Sequence, residues 1–124
     1  MKKVLYENND RKYYLCVASY QNNGRLYLGV VNEEDEICGD ITINLTDEEL
    51  DKDEIFLSDD LVLDDIKELQ DKNIIGNVLY TTQYNFGNYK AVSVDFDILR
   101  EYDNAGVEEF EINYNKFHPE EMER

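Results

Sequence analysis

The sequence predicts an α+β fold, with a mostly antiparallel sheet of about five strands and one helix packed against it. Three observations support this class. Apolar and polar residues alternate in several segments, an Asn-Gly turn joins two strand-like segments, and one short segment carries a helical apolar stripe. The length of 124 residues is that of one domain. We expect residues 1–117 to form this single α+β domain and residues 118–124 to be a frayed acidic tail.

The first predicted element is a β-hairpin. Residues 12–20 and 25–31 are rich in β-branched, aromatic and small apolar residues, and residues 21–24 between them read Gln-Asn-Asn-Gly. Asn-Gly supplies the two positive φ angles of a type I′ turn, so the two segments are predicted to pair as antiparallel strands.

A third strand is predicted after the polar turn at residues 32–36. Residues 37–45 alternate, and every second residue of this segment is apolar or glycine. Such alternation indicates one buried face and one solvent face, as antiparallel sheets allow. The three strands should follow one another as an N-terminal meander, with Ile37, Gly39, Ile41, Ile43 and Leu45 on one face.

Residues 46–54 are predicted to form an acidic connection. Within it, Thr46 can act as the N-cap of a helical turn and Glu49, three residues later, as its capping-box partner.

The predicted helix covers residues 61–72. Ile66 and Leu69 fall on one stripe with Leu61 or Val62, and four aspartates lie near the positive end of the helix dipole. Gly76 is expected to end the helix. The buried face of the meander is the available partner for the apolar stripe.

Three further strands complete the prediction. Residues 78–84 and 89–98 read as strands joined by a turn at residues 85–88, where a glycine is available for positive φ. Residues 110–115 alternate again, which predicts a short edge strand that ends before His118-Pro119.

Charge is the main functional signal of the sequence. Asp and Glu number 29 against 12 Lys and Arg, which gives a net charge of −17. Residues 11–31 contain three cationic residues and no acid, whereas residues 47–71 contain twelve acids and two lysines. A balance this negative repels DNA, RNA and anionic lipid, so direct binding to nucleic acid or membrane is not expected.

Two interpretations of the acidic run remain open. A run of charge is commonly a solvated face that serves solubility, but acids gathered on one face can imitate a polyanion and bind a basic protein. Under the second interpretation, the partner-binding residues are Asp47, Glu48, Glu49, Asp51, Asp53, Glu54, Asp59, Asp60, Asp64, Asp65 and Glu68.

The sequence carries no recognisable catalytic constellation. His118 is the only histidine and lies in the acidic terminal segment, so no Ser or Cys nucleophile in the folded body has a histidine base. Motifs for phosphate or dinucleotide binding do not occur. We therefore predict that the protein is not an enzyme and binds no cofactor.

Metal and disulfide chemistry are not expected either. The pairs Asp51/Asp53 and Asp95/Asp97 begin like calcium loops, but neither continues with the Gly and Glu that such a loop needs. Cys16 and Cys38 fall on the first and third meander strands, which are not neighbours, so both are predicted to be free thiols.

The expected location is the cytoplasm. No apolar run approaches the roughly 20 residues of a membrane span, and the start Met-Lys-Lys-Val-Leu-Tyr-Glu lacks the apolar stretch of a signal peptide.

Four segments resemble an uncharacterised family of small acidic proteins, a domain of unknown function. They are residues 14–20 (Tyr-Leu-Cys-Val-Ala-Ser-Tyr), 22–26 (Asn-Asn-Gly-Arg-Leu), 40–45 (Asp-Ile-Thr-Ile-Asn-Leu) and 53–57 (Asp-Glu-Ile-Phe-Leu). The resemblance runs from about residue 13 to 100 and includes the aromatic strand at residues 80–86. This chain departs from the family pattern in having Gln83-Tyr84 where Tyr-Pro is usual, and in its acidic C-terminal extension.

The resemblance implies a biological setting and no catalytic residues. Members of this family occur on plasmids, conjugative elements and phages of Gram-positive bacteria. Such elements carry small acidic proteins that disarm host restriction or CRISPR nucleases by occupying their nucleic-acid channels.

Two functional hypotheses follow. In the first, the acidic run occupies a basic groove of a nucleic-acid-binding protein, such as a host defence nuclease. In the second, a small structural or regulatory module binds a protein through tyrosines on the outer face of its sheet, and the charge only serves solubility. The tyrosines on predicted strands are Tyr13, Tyr14, Tyr20, Tyr27, Tyr80, Tyr84 and Tyr89.

Overall fold

The computed structural model describes residues 2–119 and confirms an α+β fold of mainly antiparallel strands. Within residues 2–119, eight strands and two helices follow one another. They are β1 (Val4–Asn8), β2 (Arg11–Ser19), β3 (Leu26–Val31), β4 (Ile37–Asp40), β5 (Thr42–Ile43), β6 (Glu54–Leu57), α1 (Leu63–Asp71), β7 (Ile75–Tyr84), β8 (Gly87–Val94) and α2 (Phe96–Phe117).

The strands form two four-stranded sheets. Sheet A has the order β1-β2-β3-β4, which includes the predicted meander, and sheet B has the order β5-β6-β8-β7. The two sheets meet at Ile41, between β4 and β5. Its N–H donates to the carbonyl of Leu28 at 2.9 Å, and its carbonyl accepts from the N–H of Ser58 at 2.8 Å.

One main core lies between the sheets and α2. Alternate residues of the strands point into it, as period-two patterning requires. Its fully buried members include Leu15 and Leu28 from sheet A, Val92 from sheet B, and Leu99 and Phe110 from α2. Burial of these large apolar side chains is the dominant stabilising contribution to the fold.

The N-terminal hairpin is confirmed, but its turn is not the expected type I′. A longer loop connects the strands: the Tyr20 N–H donates to the Arg25 carbonyl, and the Gly24 N–H donates to the Tyr20 carbonyl, both at 2.8 Å. Gly24 has φ of 73°, whereas Asn23 is not in the positive-φ region. The Asn23 side chain accepts the Arg25 N–H and bonds Asn44, which fixes the larger loop.

The predicted third strand is in fact two strands in different sheets. The alternation through residues 37–45 suggested a single strand, but its two halves pair with different neighbours, β3 and β6. Ile37 is exposed while Ile41 and Leu45 are buried, so the five alternating positions do not share one face. The predicted strand is interrupted at Ile41, because the Ile41 N–H bonds to Leu28 of sheet A whereas its carbonyl bonds to Ser58, next to β6.

The predicted helical turn at residues 46–54 does not form. Thr46 is exposed and begins a hydrogen-bonded turn, because the Glu48 N–H donates back to the Leu45 carbonyl at 3.1 Å. The Glu49 backbone is instead bonded to the side chain of Tyr80.

Helix α1 is confirmed, with Ile66 and Leu69 buried as predicted. Gly76 does not end it. Asn73 takes the left-handed conformation, with φ of 62°, and the Ile74 N–H donates to the Leu69 carbonyl. Asparagine serves this role because it tolerates positive φ. Gly76 belongs to β7.

The hairpin of β7 and β8 is also confirmed, with Asn85 instead of the predicted glycine taking positive φ at its turn. Strand β8 ends at Val94, four residues earlier than predicted. The Asp95 carboxylate accepts the N–H groups of Asp97 and Ile98, so it caps α2 and stops the strand.

The predicted edge strand at residues 110–115 is wrong, because this segment lies within α2. Phe110 and Tyr114 are buried, whereas Ile112 is 58% exposed. The buried residues are thus four apart, which is the helical spacing. The structure also contains β1, which was not predicted.

Helix α2 is broken at Asp103, whose φ and ψ are −156° and 77°. One carboxylate oxygen accepts the N–H of Gly106 at 3.1 Å and so caps the second part of the helix. The other oxygen accepts the N–H of Val17 at 2.9 Å. Asp103 therefore ties the break in α2 to the part of β2 that β1 does not cover.

The predicted boundary between domain and tail falls near the end of α2, at Phe117. Residues 120–124, which make up most of the predicted acidic tail, lie outside the described residues. Within residues 2–119, neither helix is long and apolar enough to cross a membrane.

Candidate acidic interaction surface

The structure separates the eleven predicted partner-binding acids into two groups. The loop acid group lies in the connection before β6 and at its first residue, and the helix acid group lies in the turn before α1 and on α1 itself. Nine of the eleven are exposed, and Glu48 and Glu54 are half-buried. The loop acid group is Asp47, Glu48, Glu49, Asp51, Asp53 and Glu54, and the helix acid group is Asp59, Asp60, Asp64, Asp65 and Glu68.

Arg25 holds the loop acid group in place. Its guanidinium donates to the carbonyl of Leu45 at 2.8 Å and also to the carbonyl of Glu48. In these charge-assisted hydrogen bonds, the Arg25 cation binds backbone carbonyls of the loop and not its carboxylates. The loop is therefore fixed while its side-chain charges stay largely available.

Strand β7 supplies a second set of contacts to the loop. The Thr82 hydroxyl donates to a Glu48 carboxylate oxygen at 2.9 Å, and the Tyr80 hydroxyl donates to the Glu49 carbonyl at 3.3 Å. The Tyr84 hydroxyl lies 3.5 Å from a carboxylate oxygen of Asp47. The loop acid group thus runs along the outer face of β7.

A small apolar cluster lies beneath the loop. Leu45, Phe56 and Ala91 are buried together, and the partly buried Leu50 packs against them. This packing gives the loop a hydrophobic anchor in addition to its hydrogen bonds. The acidic side chains are therefore carried on an ordered part of the fold.

The pKa of the Tyr80 hydroxyl is influenced by burial and by the charges around it. Burial raises the pKa of Tyr80, and the negative charges of Glu54 and Glu48 raise it further, while the positive charge of Arg25 lowers it. Burial is the main cause of this direction, and the acidic neighbours add to it because negative charge disfavours a phenolate.

The helix acid group has its own local supports. The Asp65 carboxylate accepts the N–H of Val62 at 3.3 Å, and Glu68 forms an ion pair with Lys72 at 2.8 Å. Asp65 and Glu68 also border an apolar cavity of about 270 Å³ between α1 and sheet A. Tyr6 lines the same cavity. Burial raises its pKa, and Tyr13, Cys38 and then the charges of Asp65 and Glu68 raise it further.

The loop acid group and Asp64 of the helix acid group lie on opposite faces of the β7–β8 hairpin. Ala91 of β8 faces the cluster under the acidic loop, and its neighbour Lys90 faces the other way. Lys90 lines an open hollow together with Asp64 and apolar residues at the start of α1. The single acidic run of the sequence is therefore divided in the fold: the loop acid group lies along one face of the hairpin, Asp64 lies toward the other, and Asp65 and Glu68 border the cavity next to sheet A.

Most of these acids lack a cationic partner. Among residues 2–119, Glu68 is the one member of the eleven that forms an ion pair. Lys52, within the loop, has its ammonium 5.9 Å from the ring centre of Phe96 and 5.8 Å from that of Tyr114. Its charge is thus directed toward α2.

Sequence reasoning missed Arg25 and the hairpin edge as parts of this surface. Arg25 looked like a member of a separate basic stretch, because its contact with residues 45–48 depends on the folding of the hairpin loop. One signal was available for the edge: residues 73–89 form the longest uncharged stretch of the chain, between two acidic regions.

Other reactive groups do not assemble into a site. Within residues 2–119, no three His, Cys, Asp or Glu side chains are placed to hold a metal ion. Both cysteines are free thiols, as predicted, with Cys38 exposed and Cys16 half-buried. Burial raises the pKa of Cys16, which keeps it protonated. His118 stacks on Tyr114, with ring centres 4.1 Å apart.

Comparison with known proteins gives a family but no activity. No curated protein matches the chain, and no solved structure matches it. The family described as "Domain of unknown function (DUF4313)" matches residues 14–114, a span that reaches from β2 into the last turns of α2 and includes both acid groups. The chain therefore belongs to the DUF4313 family, a domain of unknown function.

Proposed function

We propose that this protein is a cytoplasmic, non-catalytic binding protein that presents its two acid groups to a basic nucleic-acid-binding protein and occupies the surface on which that partner holds DNA or RNA. The observation that carries the proposal is that ten of the eleven acids have no ion-pair partner within residues 2–119. Exposed carboxylates without internal counterions are available to lysines and arginines of a partner.

The order of the loop acid group supports binding over mere solubility. Solvating charge needs no fixed geometry, yet this loop is held by Arg25, by β7 hydroxyls and by an apolar anchor. A surface ordered before binding loses less conformational entropy when a partner docks. Complementary charge also speeds encounter and makes the affinity fall with salt.

The family resemblance suggests a more specific partner. If this chain, like the proteins it resembles, belongs to a mobile genetic element, a host restriction or CRISPR nuclease is the fitting target. Such a nuclease has a basic channel for a polyanion, and the acid groups would compete with nucleic acid for that channel.

The tyrosine-face alternative has less support. The hydroxyl of Tyr27 donates to Asp40 at 2.5 Å, that of Tyr20 lies 2.9 Å from the Thr42 hydroxyl, and that of Tyr80 donates to Glu49. These polar ends are already bonded within the chain, so they are less available to a partner.

The test is a neutralisation series against a panel of basic restriction and CRISPR nucleases. In the test variant, four acids of the loop group are changed to isosteric amides. In the control variant, four exposed acids elsewhere are changed in the same way, so both chains gain the same charge. The test substitutions are Asp47→Asn, Glu49→Gln, Asp51→Asn and Asp53→Asn, and the control substitutions are Asp10→Asn, Glu34→Gln, Asp97→Asn and Glu109→Gln.

We expect the wild type to inhibit at least one nuclease, with an affinity that falls as NaCl rises from about 50 to 500 mM. The test variant should bind about tenfold or more weakly, which is about 1.4 kcal/mol, and the control should stay close to wild type. Equal losses in both variants, or binding unchanged at about 1 M salt, would reject the proposal.

A further inference from the structure

We propose that β7 is a docking edge that pairs with an extended, lysine- and arginine-rich strand of the partner, so that the loop acid group lies beside a backbone-recognition site. The inference rests on the proposed function and specifies how the partner binds. Addition of a strand to an exposed sheet edge is a common mode of peptide recognition, in which main-chain hydrogen bonds give affinity.

The first step is the position of β7. It is the last strand of sheet B, and it pairs with β8 on one side. Tyr84 and Gly87 flank the two-residue turn and pair with each other. Counting back from Tyr84, every second residue of β7 therefore directs its N–H group toward β8. Thr81 and Gln83 then direct theirs outward. Within residues 2–119, no backbone hydrogen bond is made to these outward groups.

The second step is the lack of protection on this edge. Sheet edges are usually guarded by charged residues, proline or bulges. Strand β7 contains no charged residue and no proline, and its two register irregularities both precede Tyr80. The segment from Tyr80 to Tyr84 is therefore regular, uncharged and able to accept a strand.

Exposure of side chains agrees with an unfilled site. Leu79 is 51% exposed, and Thr81 and Gln83, two residues apart in the regular part of the strand, are exposed as well. Phe86, at the tip of the hairpin, is fully exposed. A strand laid along β7 would cover the apolar part of this surface.

The acidic charge beside β7 indicates which kind of strand would bind there. An added strand directs its side chains alternately to the two faces of the sheet. Asp47 and Glu48 lie along one face of β7, and Asp64 lies toward the other. Cationic side chains on the loop-facing side of the strand would therefore meet the carboxylates of Asp47 and Glu48, whereas the other side presents Asp64 together with Lys90. A second copy of this chain brings a net charge of −17 against the same charge, which disfavours pairing between two β7 strands.

The test uses a fluorescein-labelled peptide in which lysine and valine alternate over about nine residues. Its affinity is measured by fluorescence anisotropy at about 50 mM NaCl for the wild type, for Gln83→Pro and for Gln83→Ala. Proline removes the outward N–H but leaves the bonds to β8, whereas alanine removes the side chain and keeps the N–H. Amide exchange of Thr81 and Gln83 in the wild type, measured by NMR, gives a readout that does not depend on folding of the proline variant.

We expect Gln83→Pro to bind the peptide about tenfold more weakly than the wild type, and Gln83→Ala to bind it with near-wild-type affinity. In the wild type, bound peptide should slow exchange of the Thr81 and Gln83 amides about tenfold. Unprotected amides in a peptide-bound wild type would overturn the docking edge. So would a wild type that dimerises through β7, or one that binds a basic nuclease but not the peptide. The proposed function has its own test in the neutralisation series, so a failed edge leaves that result standing.

Discussion

Tyr27 is the residue with the most strongly shifted ionisation in the described chain. Its ring covers Gly29 and packs edge-on against Tyr20, with ring centres 5.6 Å apart. Burial, then the hydrogen bond to Asp40 and the charge of that carboxylate, raises the pKa of Tyr27 well above its ordinary value. The folded protein therefore resists formation of the Tyr27 phenolate.

The stability of the protein should fall above about pH 10, the pKa of an unfolded tyrosine. Because the folded-state pKa of Tyr27 is raised, its contribution is complete below that pH and is lost as the pH rises toward the folded-state value. Urea unfolding at a series of pH values from about 8 to 11 measures this loss. Tyr27→Phe should reduce the decline without abolishing it, because the pKa values of Tyr6, Tyr20 and Tyr80 are raised as well.

Tyr89→Phe is the matched control, since the Tyr89 hydroxyl makes no hydrogen bond in the described part of the chain. A Tyr27→Phe protein that loses stability with pH as steeply as the wild type would contradict the assignment.

Helix α2 is the element that sequence patterns described least well. Residues 110–115 alternate as a strand would, but they also fit a helix when Tyr102, Val107, Phe110 and Tyr114 are read together. Within the short segment 110–115, the alternation favoured the strand period of two over the helical period. The hairpins and α1 were predicted correctly because their signals are local: turn residues, alternation and an apolar stripe.

Other wrong predictions arose from contacts between residues that are far apart in the sequence. Residues 37–45 split because Ile41 bonds to Leu28 of sheet A and to Ser58, which directly follows β6 of sheet B. The acidic residues of the candidate surface were identifiable by charge alone. The separation of the loop acid group from Asp64 by the hairpin was not, because it depends on where β7 and β8 lie between them.

Gly106 provides a test at the scale of the element, because it brings α2 against β2. A Cβ at this position would overlap the Val17 carbonyl oxygen and crowd the Asp103 carboxylate. We expect Gly106→Ala to lower the free energy of unfolding by about 1–3 kcal/mol, as overpacking does, despite the better helix propensity of alanine. Chemical denaturation measures the change.

Gly39→Ala is the control for the Gly106 substitution, because a Cβ at Gly39 has no neighbour within 4 Å. It should change the stability by no more than about 0.5 kcal/mol. A Gly106→Ala protein as stable as the wild type would mean that the close approach of α2 to β2 is not maintained in solution.

Across the whole molecule, the charge is far from balanced. The chain has a net charge of −17, and the ion pairs between described residues are Lys2–Asp35, Lys3–Glu101, Glu68–Lys72 and Arg100–Glu111. Most acids therefore act on one another as repelling neighbours. This repulsion between like charges destabilises the compact folded state.

Raising NaCl from about 10 to 200 mM should stabilise the folded protein by screening that repulsion. An increase on the order of 1 kcal/mol, or several degrees in Tm, is expected for a domain of this size. Thermal unfolding followed by circular dichroism measures it, and KCl at equal ionic strength should act alike. A Tm that falls with salt would indicate that attractive charge contacts dominate instead.

The position of Ile41 between the two sheets has a consequence for how the molecule comes apart. Its N–H is bonded into one sheet and its carbonyl into the other, and its side chain belongs to the core that both sheets share. Separating the two sheets would therefore break one of these backbone bonds and expose the core that both sheets line. The pair should therefore unfold cooperatively, as a single unit without a half-open intermediate.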